Sequence, residues 1–466
     1  MVIILYTVTL LAILSILYIE RKKPEEALAW VLIFIIFPVG GLVFYLVFGS
    51  TFRFKLRRIR LKNRHYEEYE KLQEYNPPKR IEKSEEPYQE VLRFHENYSQ
   101  SSFTRNNSVR IFTGGQEKFK SLFADIKQAR KHIHLLYFGI KNDEVGKELA
   151  RLLAEKAREG VEVRVLYDRM GSLFTPRKSF RELIAAGGKV ATIRPFLLDI
   201  NYRNHRKIVV IDGRIGYTGG MNIGEKYLGE HPRRKPWRDT HLRLNGEVVQ
   251  NLQFIFLNDW VVAKKKVEED VFSRLREFFP LPEKAGKTGV QVVASGADDD
   301  QNIKMGYLRM IGSAREKIWL QTPYLVPDEN VFNALLVAAA SGIDVRIMLP
   351  SIPGNRFLKH TTNYNIDRLI DFGVKVFLYK GYIHAKTMII DNQLSCIGSV
   401  NLDVRSLEIN DEIYVYFHDP AFTTKYAKIY QNDLINCVEL DYIKFKQRGA
   451  WARFWEGIFS FFSPLI

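Results

Sequence analysis

The chain has 466 residues, enough for two domains of ordinary size and an anchor. Its 69 Lys and Arg against 53 Asp and Glu leave a net charge of +16, which favours an anionic partner, either nucleic acid or an acidic membrane surface. Two cysteines, Cys396 and Cys437, exclude a disulfide framework and a zinc site built on cysteine, and Cys396 reads as a small buried apolar residue.

Val2 to Ile19 is an uncharged apolar run of 18 residues, and Ala27 to Phe48 is a second of 22. A spanning helix needs roughly 20 residues, so both runs qualify. The charged stretch Glu20 to Glu26 joins them, so residues 1–50 read as a transmembrane helical hairpin, with a kink expected at Pro38, Gly40 and Gly41. A cleaved signal peptide fits less well, because the first run lacks a basic start and a small-residue cleavage site. Seven cations between Arg53 and Arg64 follow the second run, against Arg21, Lys22 and Lys23 in the hairpin. The positive-inside rule then puts everything after Phe48, and the N-terminus, on the cytoplasmic side of the membrane. The same cations would hold anionic headgroups. Residues 51–108, broken at Asn76-Pro77-Pro78, read as a basic juxtamembrane connector.

From residue 109 strands and helices alternate. KHIHLLYF, GVEVRVLYD and KVATIRP read as strands, and Val145 to Glu159 and Lys178 to Ala186 as helices. The order returns in AREKIWLQTPYL, GIDVRIMLP and GVKVFLY, with helices over Val331 to Ser341 and Thr361 to Phe372. Arg130 maps to Arg315 at a shift of 185, Gly160 to Gly342 at 182, and His205 to His384 at 179. Near-constant offsets indicate a duplication, with halves over residues 109–280 and 281–440. Residues 441–466 end in WARFWEGIFSFFSPLI, an aromatic segment suited either to a membrane interface or to packing on the catalytic body.

Each half carries one motif. NHRKIVVIDGRIGYTGGMN holds His205, Lys207 and Asp212, then Gly219, Gly220 and Asn222. IHAKTMIIDNQLSCIGSVN holds His384, Lys386 and Asp391, then Gly398, Ser399 and Asn401. In both, the first Gly of the closing turn comes seven residues after the Asp. Side chains alternate along a strand, so each His shares a face with its Lys, and an imidazole, an ammonium and an amide converge. That set suits phosphodiester exchange. One imidazole attacks phosphorus, the other protonates the leaving alcohol, and the lysines, Asn222, Asn401 and the Ser399 hydroxyl hold the phosphoryl oxygens. Neither a metal nor another cofactor is needed. The two copies are near symmetrical, so the attacking His stays open.

Two HxKxxxxD motifs, each followed by G-G/S-x-N, resemble the phospholipase D superfamily. With PWRDTH, QTPYLVPDE, ERKKPEEALAW and FPVGGLVFYLVFG, the resemblance extends over nearly the whole chain to the bacterial cardiolipin synthases. It implies an α/β fold of two duplicated sheet-and-helix halves facing across one active site, behind a two-helix anchor in the bacterial cell membrane. It implies transfer of a phosphatidyl group between two phosphatidylglycerol molecules, giving cardiolipin and glycerol through a phosphohistidine. In this superfamily the motif Asp mostly holds the motif's structure, which lowers the weight of Asp212 and Asp391 as catalytic groups. A carboxylate orients each His, and Glu412 occupies the family's position for the second half. Asp239 is its counterpart in the first, beyond a basic loop, EHPRRKP. Tyr324 and Pro323 lie where they would shape the entrance. A phospholipase D-type hydrolase at the membrane would use the same residues. A nuclease would explain the charge but not the apolar runs, and a scaffold would not explain two intact motifs, so no nucleic-acid partner is expected.

Overall fold

The computed structural model describes residues 2–19, 24–41, 88–193, 203–229, 234–264, 269–296 and 301–461, together with Tyr45, Leu72 and Ser463. The cations from Arg53 to Arg64, the Pro77-Pro78 break, most of the hairpin turn and part of the basic loop lie outside these residues.

Seven strands build the first half: β1 (Phe103–Phe112), β2 (His132–Tyr137), β3 (Glu162–Asp168), β4 (Lys189–Ile193), β5 (Lys207–Ile211), β6 (Ile215–Gly219) and β7 (His241–Gly246). Eight build the second: β8 (Thr288–Ser295), β9 (Lys317–Gln321), β10 (Asp344–Pro350), β11 (Lys375–Tyr379), β12 (Thr387–Ile390), β13 (Leu394–Gly398), β14 (Glu412–Phe417) and β15 (Cys437–Glu439). All fifteen form one sheet, in the order β15-β11-β10-β9-β12-β13-β14-β8-β1-β7-β6-β5-β2-β3-β4. Outward from the centre, β1-β7-β6-β5-β2-β3-β4 is matched by β8-β14-β13-β12-β9-β10-β11, so the duplication inferred from the offsets is also one of topology. The halves join where β1 and β8 pair antiparallel, Phe103 opposite Gln291 and Thr104 opposite Val290.

The motif strands are apolar on both faces because helices cover both. Ile208, Val209, Val210 and Ile211 are all buried, and so are Met388, Ile389 and Ile390. The helix Val248–Ala263 packs the first-half sheet with Val249, Leu252, Phe256 and Trp260. The helix Pro420–Ile435 covers the second with Phe422, Tyr426 and Tyr430. The first helix of each half after its parallel strand starts at a capping Asp. Asp143 accepts from Gly146 N at 3.1 Å, and Asp328 from Val331 N at 2.8 Å. Two helix boundaries differ from the sequence reading. The one expected from Thr361 begins at Arg356, where Asn355 caps it by accepting from Leu358 N at 2.8 Å. The one expected over Lys178 to Ala186 is a 3-10 turn, Arg177–Phe180, followed by Arg181–Ala185.

At the N-terminus α1 (Val2–Ile19) and α2 (Pro24–Ile36) pair through Ile16, Ala27, Trp30 and Phe34, while Leu10, Leu14, Leu28 and Ile35 face outward. Helical backbone stops at Phe37, the residue before Pro38, and resumes over residues 38–41. Among the described residues no helix is long and apolar enough to cross a membrane. The 18 residues of α1 rise about 27 Å, against a hydrocarbon core of about 30 Å.

The C-terminal helix Ala450–Phe461 packs on the body and keeps one aromatic face exposed. It lies on the helix Arg356–Ile370, with Phe459 packed against Phe357 and His360, and its buried Glu456 meets Arg448 at 2.9 Å and Asn363 at 3.1 Å. Its other face exposes Trp451 at 70% and Phe454 at 53%.

Candidate active site

Two short backbone pairings across the halves build the site. Asn204 bridges Asp411 in parallel, with His205 N donating to Asp411 O at 2.7 Å. Tyr382–Ile383 pairs in parallel with Trp237–Arg238, with His384 N donating to Arg238 O at 2.6 Å. In each case the residue before a His is held against the residue before a carboxylate of the opposite half. The side chains that follow then meet. His205 Nδ1 lies 3.0 Å from both carboxylate oxygens of Glu412 and 3.1 Å from Ser399 O. His384 Nδ1 lies 2.6 Å from Asp239 Oδ2. Sequence position assigned each carboxylate to the motif of its own half; the structure exchanges them. It also moves the imidazoles out of the sheet, since β5 starts at Lys207 and β12 at Thr387. Strand alternation therefore does not place them; the pairing across the halves does.

A carboxylate can only accept, so Nδ1 carries the proton and Nε2 is the free nitrogen in both rings. Burial, and then the neighbouring lysine charge, push the His384 imidazole down to about 3, with Asp239 opposing. His205 is lowered as well, by burial first, and the charges of Lys207 and Lys386 add to this while Glu412 opposes. Asp239 is held below its ordinary value against its own burial, by His384 and Lys386.

The two lysines face the same space. Each donates to the backbone carbonyl of its own motif histidine, Lys207 to His205 O and Lys386 to His384 O. Burial brings Lys207 down to about 7 and Lys386 to about 8, with Lys386 lowering Lys207 further and Lys226 lowering Lys386. The supporting residues differ between the copies. Ser399 Oγ donates to Glu412 and accepts from Ile413 N at 3.0 Å, so it braces the carboxylate. Its counterpart Gly220 has no room for a side chain, because a Cβ there would lie 2.1 Å from Asp239 Oδ1. Asn222 donates to Tyr227 Oη at 2.8 Å and accepts from Gly139 N at 3.1 Å. Among the described residues the buried Oδ1 of Asn401 has no hydrogen-bond partner.

Asp212 and Asp391, grouped with the catalytic residues in the sequence motifs, are not brought to the imidazoles. Each sits at the far end of its motif strand with positive φ, 53° and 52°, and ties that turn to the start of the neighbouring strand. Asp212 accepts from Arg130, Lys131 and His132 N at 2.9, 2.7 and 3.0 Å. Asp391 accepts from Arg315, Glu316 and Lys317 N at 2.8, 2.9 and 2.7 Å.

Several contributors escaped the sequence reading. Arg206 donates to Glu412 O at 3.1 Å and pairs with Asp259 at 2.6 Å. Arg238 donates to Asp239 O at 2.6 Å and pairs with Asp433 at 2.7 Å. Each carboxylate residue at the site is thus gripped at its carbonyl by a buried, paired guanidinium, although the two arginines occupy unrelated positions in their repeats. Phe138 packs edge-on to His205 at 4.9 Å, and Trp237 stands 5.4 Å from His384. Tyr324, expected at the entrance, is half-buried and donates to Asp403 Oδ2 at 2.7 Å. Arg234, at the end of the basic loop, lies over the Tyr382 ring at 4.7 Å and donates to Gly354 O at 2.6 Å. Among the described residues no group of three or more His, Cys, Asp or Glu side chains forms a metal-ligand set.

The family described as "Cardiolipin synthase, PLD-like domain" matches residues 122–260 and 307–434, and that described as "Phospholipase D-nuclease N-terminal" matches residues 7–50. The chain is 37% identical over 479 residues to the major cardiolipin synthase ClsA of Bacillus subtilis, covering 99% of this chain and 98% of that protein. It is 36% identical over 487 residues to a cardiolipin synthase of Staphylococcus aureus, covering 99% and 95%. The crystal structure of phosphatidylserine synthase from Haemophilus influenzae shares the fold, with a TM-score of 0.62 at 14% identity over 81% of this chain and all of that one.

Proposed function

The chain belongs to the bacterial cardiolipin synthases of the phospholipase D superfamily, and from that premise we propose that it joins two phosphatidylglycerol molecules into cardiolipin and glycerol through a phosphohistidine. The observation that carries this reading is the pair of imidazoles, each with Nδ1 on a carboxylate of the opposite half and Nε2 directed to the site, so that one ring can attack while the other, protonated, acts as the acid. In the first step Nε2 of one His attacks phosphorus. The bond from phosphorus to the glycerol oxygen breaks, and the second imidazole, protonated, gives that oxygen its proton. In the second step the hydroxyl of another phosphatidylglycerol returns a proton to that imidazole. Its oxygen bonds phosphorus as the P–N bond breaks, which restores both rings. Lys207 and Lys386 neutralise the phosphoryl oxygens, so the reading needs no metal. Asn222, Ser399 and Asn401 support this cradle, and Asp239 and Glu412 fix the ring tautomers.

The reading includes the membrane. Residues 1–50 anchor the chain as two spans, residues after Phe48 lie on the cytoplasmic side, and their cations hold anionic lipid. The outward apolar faces of α1 and α2 support this, and so does the aromatic face of the C-terminal helix.

The test is mass spectrometry of lipids formed by the purified chain on phosphatidylglycerol vesicles without divalent metal. Cardiolipin and free glycerol, both lost in His205→Ala and in His384→Ala, are expected. Phosphatidic acid as the only product would make the chain a hydrolase.

A further inference from the structure

The two halves correspond closely beyond their motifs. Ile140 pairs in parallel with Ile223, as Leu325 does with Leu402. Each of these segments leads to a capping Asp, Asp143 or Asp328. This register sets Gly139 against Tyr324, Gly224 against Asp403, and Lys226 against Arg405.

On the second-half side the rim is filled and neutralised. Tyr324 Oη donates to Asp403 Oδ2 at 2.7 Å, and Arg405 feels Asp403, Tyr324 and Asp168. On the first-half side the ring and the carboxylate are both replaced by glycine, and the cations remain. Lys226 is half-buried, with Nζ 4.9 and 5.1 Å from the rings of Tyr227 and Trp237. Those rings stand 6.3 and 5.4 Å from the His384 imidazole. Lys141, also half-buried, lies against Gly224, where a Cβ would come within 3.1 Å of its Cγ. Its Nζ lies 5.9 Å from the ring of exposed Phe174. Burial and then the charge of Lys226 lower its pKa, with Asp143 opposing. Among the described residues neither has a carboxylate oxygen within 4.0 Å. Two half-buried cations without a close carboxylate, beside a phosphoryl-transfer centre, suit an anion.

The proposed reaction supplies one. Only one phosphorus can sit between the two imidazoles, yet the acceptor brings a phosphodiester of its own, separated from its reacting hydroxyl by the length of one glycerol. We propose that Lys226 and Lys141, on the rim beside Gly139 and Gly224, bind the phosphate of the acceptor alcohol and so select a phosphate-bearing acceptor over water or a neutral alcohol. Exposed Phe174 and Leu173 then meet the acceptor's acyl chains where that phosphate sits. The inference rests on the transferase reading and names where its second substrate is held.

The test is a competition in the full-length protein, in detergent with phosphatidylglycerol as donor, between labelled glycerol and labelled sn-glycerol 3-phosphate as acceptors. The wild-type chain is expected to favour the phosphate-bearing acceptor by about tenfold or more. Lys226→Gln/Lys141→Gln is expected to lose that preference, and Lys226→Arg to keep most of it. A wild-type chain without preference, or a double variant that retains it, overturns the proposal. Should the double variant transfer to neither acceptor, Lys141→Gln alone decides, because Lys141 contacts neither imidazole; unchanged selectivity there also overturns it. A wild-type chain that forms no cardiolipin from phosphatidylglycerol vesicles defeats the synthase reading instead, and the soluble competition still reads the rim.

Discussion

His205 takes its carboxylate from the opposite half of the molecule: Glu412, 207 residues away in the chain, lies 3.0 Å from its Nδ1. The same exchange joins His384 to Asp239, so neither half alone holds an oriented imidazole. Glu412→Gln and Asp239→Asn keep the shape but can no longer enforce the Nδ1–H tautomer. Each is expected to lower kcat by about 100-fold or more with a smaller effect on KM. Steady-state kinetics checks this, with circular dichroism to show that the variants fold.

The lysines set a limit on the alkaline side. Lys207 at about 7 and Lys386 at about 8 must stay protonated to hold phosphate, so kcat/KM should fall as pH rises through that range. In Lys207→Arg the lower of the two cations cannot deprotonate there. Its maximum rate should drop, but its alkaline limb should move upward. A pH profile that is the same in both proteins would assign the limb to another group.

Asp212 and Asp391 act on the fold. Each satisfies three backbone N–H groups at the start of a central strand. Asp212→Ala leaves three donors without their acceptor and should cost about 1–3 kcal/mol. Thermal unfolding of the variant is expected several degrees below wild type, with a far smaller loss of activity per folded molecule than in His205→Ala.

Acid should weaken the protein through histidines that are buried and neutral. Burial lowers His95 to about 3 and His134 to about 4, and depresses His132 and His241 as well. The unfolded chain takes up protons near pH 6.5 and the folded one does not. Stability is therefore complete above that value and is lost as pH falls toward 4, by at most roughly 1.4 kcal/mol per unit for each such His. Urea titrations at pH 7 and pH 5 test the sign. His134→Gln, which keeps a polar partner for Gln253, should flatten the dependence.

The C-terminal helix offers a readout of membrane contact. Trp451, Phe454 and Trp455 face outward while Glu456 and Phe459 hold the helix to the body. Replacing the three outward aromatics with Ser should reduce turnover in lipid vesicles several-fold and leave turnover of a short-chain monomeric substrate near wild type. Equal losses on both substrates would show that the helix serves the body only.

Much of this molecule is legible in its sequence because local chemistry repeats. The two HxKxxxxD motifs, the shift that relates them and the apolar runs of β5 and β12 identify the residues, the duplication and the class of reaction. These signals survive because side-chain type and spacing fix what a strand can bury and what it can offer. They do not fix what lies opposite. The exchange of Glu412 and Asp239 between the halves depends on two short parallel pairings of extended chain, which carry no periodic signature. The grip of Arg206 and Arg238 on those carboxylate residues comes from positions unrelated in the repeat, and the difference between the two rims shows only once Gly139 and Gly224 are set against Tyr324 and Asp403. The tertiary structure decided these, because contact between distant segments is settled by how the two halves share one sheet and one cleft.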